Sequence, residues 1–123
     1  MALILSTGTD PILLKTRELI LERAGHGVVS AMTESEVRDA CRQYVFGVAV
    51  IGQALSPASK TRIQRIVRVH CPAARTLELY PANSEPVLRD ADAWLEVPLE
   101  NPGELVDRVT ALGNDSNRNC AAA

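Results

Sequence analysis

The sequence is poor in aromatic residues and cysteines, and each shortage excludes a class of protein. Aromatic residues make up only 3% of the 123 residues, so the core must be built from Leu, Val, Ile and Ala. The three cysteines, Cys41, Cys71 and Cys120, are odd in number, which argues against a disulfide framework and for reduced thiols. No second Cys/His pair accompanies His70-Cys71, so no metal site is predicted.

Long hydrophobic runs and an excess of charge of one sign are also missing. No apolar run approaches the length of about 18 residues that a membrane span needs. The N-terminus lacks the pattern of a signal peptide, so we expect a cytoplasmic protein. The formal net charge is −2, and nucleic acid and membrane surfaces are therefore not expected partners. Arg62, Arg65 and Arg68 line one face of a predicted helix, which we interpret as a solvated face rather than a phosphate-binding one.

Short apolar runs alternate with amphipathic segments along the chain. This rhythm predicts a parallel sheet with helices on both faces. Strands are predicted at residues 2–6, 28–31, 48–51, 76–80 and 93–97. Five strands and five helices favour a flavodoxin-like, three-layer α/β sandwich with strand order 2-1-3-4-5.

The first two predicted helices carry signals at their ends. Asp10-Pro11 combines an N-cap residue with a proline at the first helical position. Gly25 is expected to end this helix in the left-handed conformation. Thr33 and Glu36 form a capping box at the start of the second helix. The apolar period of the first helix is set by Ile12, Leu13, Thr16, Leu19, Ile20 and Ala24.

The region after the fourth strand departs from the regular pattern. Leu77 and Leu79 would face one side of the strand and Glu78 the other, although burying a lone carboxylate is costly. The next segment, residues 81–90, contains two prolines and has room for little more than one helical turn. We therefore expect a shortened fourth helix that leaves Glu78 uncovered. The alternative is that the strand is misplaced by one residue.

The last helix is predicted to begin near Asn101-Pro102 and to end at Gly113. Residues 114–123 have no apolar period, which is typical of a mobile terminus. The predicted organisation is one domain over residues 1–113 and a flexible tail over residues 114–123.

The predicted carboxyl ends of the first and third strands carry little chemistry. In an open α/β sheet these ends line the functional crevice. Here the first strand runs into Gly8-Thr9-Asp10 and the third into Gly52-Gln53. This stretch offers one Asp and no Lys, His or Cys, so the catalytic groups of an enzyme are not expected there.

Residues 2–113 resemble the receiver domains of bacterial two-component response regulators. The resemblance rests on Asp10-Pro11 with KTRELIL at residues 15–21, on AGHGVVSA at residues 24–31, and on PAAR at residues 72–75. It rests also on ADAWLEVPL at residues 91–99, which is similar to the family's Gly-Ala-Asp-x-Tyr-Leu-x-Lys-Pro-Phe. The resemblance implies the flavodoxin-like fold and a role in phosphorelay signal transduction.

The same resemblance implies which positions would carry the family's chemistry. Gly8 and Thr9 stand where receivers have a Mg²⁺-binding acidic pair, and Asp10 follows them. Gly52 matches the phosphoacceptor aspartate and has no side chain to phosphorylate. The remaining two positions are Tyr80, which matches the switch Ser or Thr, and Val97, which matches the Lys before a proline. That proline is Pro98, and the Val97-Pro98 bond is expected to be cis as it is in the family.

These losses predict a degenerate receiver, or pseudo-receiver, that is not an enzyme and needs no cofactor. Mg²⁺ requires oxygen ligands, and aspartyl phosphorylation requires a carboxylate nucleophile, and Asp10 alone cannot supply both. We expect the chain to act by binding a protein partner, or a second copy of itself, through its fourth helix, fifth strand and fifth helix. Residues expected on that face are Trp94, Glu78 and Leu99. The alternative for Trp94 is that it packs under the last helix.

A second function from another class is a small-molecule, nucleotide or phosphate binder. Flavodoxin-like folds hold phosphates at the first strand–helix loop, where helix N–H groups favour anions. Ser6-Thr7-Gly8-Thr9 is small and polar like such a loop. The Asp10 carboxylate would repel an anion there, and the sequence matches no nucleotide-binding fingerprint.

Overall fold

Five parallel strands form one sheet with helices on both faces. The structure is a computed structural model that describes residues 3–98 and 101–122. The elements follow in the order β1 (Leu3–Thr7), α1 (Pro11–Arg23), β2 (Gly27–Ala31), α2 (Glu34–Gln43), β3 (Val48–Ile51), α3 (Pro57–His70), β4 (Arg75–Pro81), β5 (Ala93–Val97) and α4 (Gly103–Ala122). The strand order is β2-β1-β3-β4-β5, which confirms the predicted flavodoxin-like sandwich.

The sheet separates two aliphatic cores. All four residues of β3 are buried because both faces of this central strand are covered. One core joins the sheet to α2 and α3 through Val37, Ile63 and Val67. The other joins it to α1 and α4 through residues such as Leu21 and Val109. The helices on each face therefore fix the crevice at the carboxyl ends of the strands.

The predicted helix ends are confirmed at α1 and α2. The Asp10 carboxylate accepts hydrogen bonds from the backbone N–H groups of Ile12, at 2.9 Å, and Leu13, at 3.4 Å. Gly25 follows the end of α1 with φ of 94°, a conformation that favours glycine. At α2, the Thr33 hydroxyl accepts from the Glu36 N–H at 3.1 Å. The Glu36 carboxylate reaches back one residue further than expected and accepts from the Met32 N–H at 2.7 Å.

The buried face of α1 differs from the predicted one. The structure buries Leu14, Arg17 and Leu21, whereas Ile12 is 75% exposed and Leu19 is 46% exposed. The buried residues follow the helical spacing i, i+3, i+7. The sequence did not predict this face because its middle residue is an arginine, a residue type that is rarely buried.

The chain between β4 and β5 contains no helix. Residues 82–92, all of which the structure describes, form turns and bends without a helix or a strand. The shortened fourth helix that we expected is therefore not formed at all, and the chain has four helices in its described part rather than five. Pro81 ends β4 and Pro86 interrupts the segment that follows, which leaves too few consecutive N–H groups for a stable turn of helix.

The last helix is longer than predicted. α4 continues through Gly113 to Ala122, so the prediction that it ends at Gly113 is wrong. A glycine in a helix interior costs only about 1 kcal/mol and ends a helix when it takes a left-handed conformation. Among the described glycines only Gly25 has a positive φ. The flexible tail over residues 114–123 stays a prediction. No described helix is long and apolar enough to cross a membrane.

Candidate functional site

The carboxyl ends of β1 and β3 meet in the middle of the sheet. The two strands pair in parallel, with Thr7 beside Ile51. The next residues, Gly8 and Gly52, therefore lie next to each other: a Cβ atom placed on Gly52 would lie 3.4 Å from Gly8 Cα. The structure thus brings together two of the positions that the receiver resemblance singled out.

Gly52 has no room for a side chain. A Cβ atom at this position would lie 2.4 Å from the carbonyl oxygen of Thr7, closer than real Cβ contacts come. The obstructing atom belongs to the backbone of a buried strand end and cannot rotate away. Any larger residue at position 52 therefore requires the tip of β1 to move.

The guanidinium of Arg17 fills the crevice beside Gly52. Nη1 donates to the Ser6 hydroxyl at 2.8 Å and to the Thr7 carbonyl oxygen at 3.0 Å. Nη2 donates to Gln53 Oε1 at 3.3 Å and lies 3.3 Å from a Cβ placed on Gly52. The residue is only 6% exposed. Arg17 thus connects the ends of β1 and β3 from α1.

Arg17 is a buried cation whose described partners are all neutral oxygen atoms. Burial lowers the pKa of Arg17 to about 10, which leaves the guanidinium charged at neutral pH. A buried charge without a charged partner is costly unless its hydrogen-bonding groups are satisfied. The crevice therefore carries a fixed positive charge, and sequence reasoning did not find this residue.

The remaining residues of the first strand–helix loop do not fit a divalent cation. The Asp10 carboxylate caps α1, Thr9 is exposed, and the Gly8 N–H donates to the carbonyl oxygen of Ala31 at 3.2 Å. Within residues 3–98 and 101–122, no group of three or more His, Cys, Asp or Glu side chains could hold a metal ion. A buried guanidinium beside Gly52 would also repel Mg²⁺, which needs carboxylate oxygens.

The polar groups of that loop are committed to internal hydrogen bonds. The Thr7 hydroxyl donates to the Val50 carbonyl oxygen at 2.9 Å, and both Ser6 and Thr7 are fully buried. The Ser6 hydroxyl accepts from Arg17. These contacts do not favour the alternative of a phosphate or nucleotide site in this loop, because its hydroxyls already have partners.

Tyr80 and Val97 border different cavities. Val97 lies with Arg17 and Gln53 around a largely apolar cavity of about 230 Å³ between α1 and α4. Tyr80 borders a separate groove with Trp94. The Val97-Pro98 bond is cis, as expected. The two positions are nevertheless close in the sheet, because β4 and β5 pair with Tyr80 beside Glu96 and Pro81 beside Val97.

A groove of about 360 Å³ lies along β5 and the start of α4. We call its exposed wall the Trp94 face, made of Tyr80, Trp94, Glu96, Pro98, Glu104 and Arg108. The Trp94 side chain is 37% exposed, and its Nε1 donates to the Leu88 carbonyl oxygen at 2.8 Å. It is therefore held by residues 82–92 while part of the ring faces solvent. Leu99, which we also expected here, lies outside the described residues.

Glu78 does not belong to this face, and the prediction that it is uncovered is wrong. Glu78 is fully buried. Its Oε2 atom lies 2.8 Å from Lys60 Nζ, and its carboxylate accepts from the N–H groups of Val87 and Leu88 at 2.7 to 3.0 Å. Lys60 also donates to the Leu79 carbonyl oxygen at 2.9 Å. The strand orientation was predicted correctly, but residues 82–92 cover the carboxylate without forming a helix.

Several solved structures share this fold, and their names include receiver domains, a chemotaxis protein and an adenylate cyclase. The receiver domain protein (CheY-like) from Methanospirillum hungatei matches with a TM-score of 0.81 and 20% identity, over 97% of this chain and 98% of that one. The chemotaxis protein CheY4 from Vibrio cholerae matches with a TM-score of 0.78 and 19% identity, over 91% and 98%. A structure named as adenylate cyclase from Rhodopirellula baltica matches with a TM-score of 0.85 and 15% identity, over 98% and 93%.

Comparison of the sequence itself gives no further relatives. No protein-family model matches the chain, and no curated protein does. The chain therefore has the fold of response regulator receiver domains, and the likeness extends over nearly its whole length.

Proposed function

We propose that this chain is a receiver-like signalling module of a two-component system that acts by binding protein and without aspartate phosphorylation. Gly52 occupies the position that the receiver resemblance assigns to the phosphoacceptor. The observation that carries the proposal is the 2.4 Å approach of the Thr7 carbonyl oxygen to any Cβ at Gly52. Gly52 has no side chain that could be phosphorylated. An aspartate could replace it only if the end of β1 moved.

Arg17 supports the same proposal by its position and charge. In a phosphorylated receiver, signalling depends on charge that arrives in the crevice with the phosphoryl group. Here a cation already bridges Ser6, Thr7 and Gln53. Arg17 therefore holds the ends of β1 and β3 in one arrangement without a phosphoryl group. A protein of this kind would present its binding surface at all times.

The Trp94 face is the surface that we propose for the partner. Its central aromatic ring is partly exposed yet fixed through Nε1 to Leu88, and such rigid aromatic anchors are favoured at interfaces. Glu96, Glu104 and Arg108 surround it. Both signs of charge on one patch allow either a complementary protein or a symmetric second copy to pair with it.

The first experiment tests phosphorylation and its mimicry directly. The protein is treated with acetyl phosphate and examined by intact mass, and in parallel titrated with Mg²⁺ and beryllofluoride while amide NMR spectra are recorded. We expect no phosphorylated species and no saturable shifts at Gly8, Thr9, Asp10 or Gly52. Saturable shifts at these residues, or a stoichiometric phosphate, would overturn the proposal.

The second experiment tests the binding face. Sedimentation equilibrium over a wide concentration range distinguishes a dimer from a monomer that needs a separate partner. Trp94→Ala is expected to abolish whichever association is found, whereas Tyr44→Ala, which replaces an exposed aromatic residue elsewhere, should leave it intact. Equal effects of the two changes would exclude the Trp94 face.

A further inference from the structure

A third cavity lies between α3 and residues 82–92, which stand in place of the expected fourth helix. Its volume is about 400 Å³, within the range of small-molecule sites. The residues that matter here are Gln64, Arg65 and Arg68 on α3 and Leu88, Arg89 and Asp90 on the facing segment. The cavity exists because residues 82–92 form no helix that would pack against this part of α3.

The cavity wall carries an excess of positive charge. The lining contains three arginines and one carboxylate, that of Asp90. Arg68 has a structural role, since its Nη2 donates to the Asp90 carbonyl oxygen at 2.7 Å and lies 3.5 Å from an Asp92 carboxylate oxygen. Arg65 and Arg89 make no hydrogen bond or ion pair in the part of the chain that the structure describes. Two guanidinium groups are therefore available at the rim.

Gln64 lines the same cavity and is the one buried side chain whose polar atoms have no partner among the described residues. It is 4% exposed, and neither Nε2 nor Oε1 makes a hydrogen bond. A buried amide without partners is costly, and native proteins rarely keep one without a reason. Of its neighbours on the buried side of α3, Ile63 and Val67 are apolar, and Lys60 is already paired with Glu78. An apolar residue would suit position 64 better if packing were its only role.

We propose that this cavity binds a nucleoside monophosphate. The planar guanidinium groups of Arg65 and Arg89 match the geometry of a phosphate and can donate to it in pairs. The Gln64 amide is buried without a partner, and once its side chain turns toward the cavity it offers one donor and one acceptor side by side. This pair is the complement of the donor–acceptor edge of a nucleobase. We had interpreted Arg62, Arg65 and Arg68 as a solvated helix face. Under this proposal that interpretation holds for Arg62, which pairs with Glu34 at 2.9 Å, but not for Arg65.

This inference is independent of the function proposed above, because it uses neither the crevice at Gly52 nor a protein partner. The chain provides its own reporter for the test. Leu88 borders the cavity, and its carbonyl oxygen accepts the hydrogen bond from Trp94 Nε1. Trp94 is the only tryptophan. Occupancy of the cavity is therefore expected to change the tryptophan fluorescence.

The test is a calorimetric titration of the full chain with AMP, GMP, CMP and UMP, followed in parallel by tryptophan fluorescence. Inorganic phosphate and the four nucleosides are the reference ligands. We expect at least one nucleotide to bind saturably with one-to-one stoichiometry and at least ten-fold more tightly than both inorganic phosphate and its own nucleoside. No saturable binding, or equal affinity for phosphate and all four nucleotides, would overturn the proposal.

Variants separate the two halves of the site. Arg65→Gln with Arg89→Gln is expected to weaken nucleotide binding at least ten-fold, whereas Arg62→Gln on the same helix is the matched control and should change it less than two-fold. Gln64→Met keeps the side-chain length and removes the amide. It should abolish the preference for nucleotide over inorganic phosphate while the melting temperature stays equal or rises.

Each result of the variants decides the proposal. If the arginine pair can be replaced without loss of nucleotide affinity, or if Arg62→Gln weakens binding as much, the cavity is not the site. If Gln64→Met keeps the full preference for nucleotide, the amide does not bind the base. A folded Gln64→Met protein that has lost the preference would support the proposal, and its far-ultraviolet dichroism spectrum verifies folding.

Discussion

Two buried cations stand on opposite faces of the sheet, and their partners differ. Lys60 on α3 is 3% exposed and pairs with the carboxylate of Glu78 at 2.8 Å. Arg17 on α1 is 6% exposed and bonds only to neutral oxygens of Ser6, Thr7 and Gln53 among the described residues. Lys60 is thus compensated in charge, whereas Arg17 is satisfied by hydrogen bonds alone.

The two sets of contacts stabilise different parts of the molecule. Glu78 also accepts hydrogen bonds from the N–H groups of Val87 and Leu88, so the Lys60–Glu78 pair organises a segment that has no secondary structure of its own. Arg17 joins strand ends that the sheet has already positioned. We therefore expect loss of Lys60 to affect folding most, and loss of Arg17 to affect mainly the crevice.

The largest effect is expected for Lys60→Met. This change leaves the Glu78 carboxylate buried without a cation, which typically costs about 3–5 kcal/mol of the free energy of unfolding. Urea denaturation measures the loss. The double variant Lys60→Met with Glu78→Gln should recover part of it, because the uncompensated charge is then gone. A loss below about 1 kcal/mol, the level of an exposed ion pair, would contradict the expectation that loss of Lys60 affects folding most.

A smaller loss is expected for Gly52→Ala. The added Cβ meets the Thr7 carbonyl oxygen at 2.4 Å, and overpacking of this kind costs about 1–3 kcal/mol. Gly8→Ala is the matched control, since its Cβ would make only an ordinary 3.5 Å contact with the Leu14 side chain. Thermal unfolding of both variants measures the difference. Equal stability of the two would show that the strand ends tolerate a side chain at position 52.

Arg17→Met is expected to cost about 1–2 kcal/mol, because lost hydrogen bonds from a charged donor are partly offset by removal of a buried charge. Arg23→Met on the exposed side of the same helix is the control and should lie within about 0.5 kcal/mol of the original protein. Amide hydrogen exchange should rise at the ends of β1 and β3 in the Arg17 variant. Unchanged exchange there would contradict the role assigned to Arg17 in joining them.

The smallest effect near neutral pH is that of a neutral buried group. Burial raises the pKa of Cys41 to about 12, aided by the neighbouring Cys71 thiol. The folded protein therefore holds this thiol proton more tightly than the unfolded chain, whose cysteine titrates near 9. This contribution to stability is present below pH 9 and is lost as the pH rises from about 9 towards 12.

Alkylation with iodoacetamide at pH 8.5, resolved by residue in a mass spectrometer, tests the thiol. Cys41 should be labelled at least ten-fold more slowly in the folded protein than in urea, since the thiolate is the nucleophile and the thiol is buried. Labelling of Cys41 at the same rate in both states would contradict the burial of this residue.

Local sequence signals predicted most of the elements. Asp10-Pro11 and the Thr33–Glu36 box fixed where helices begin because capping depends on neighbours within one turn. The continuous apolar run of β3 indicated a strand buried on both faces. Gly113 was misjudged because a glycine permits a helix end but does not impose one. The strand order followed from the alternation of elements, which leaves few topologies to consider.

The candidate site was less predictable, for a physical reason. The sequence was enough to predict the five strands, their order and the absence of a side chain at Gly52. The sequence did not predict that Arg17 fills the crevice, that Glu78 pairs with Lys60, or that α3 lines a cavity with residues 82–92. These outcomes depend on contacts between residues far apart in the chain, where burial and charge compensation outweigh local preference.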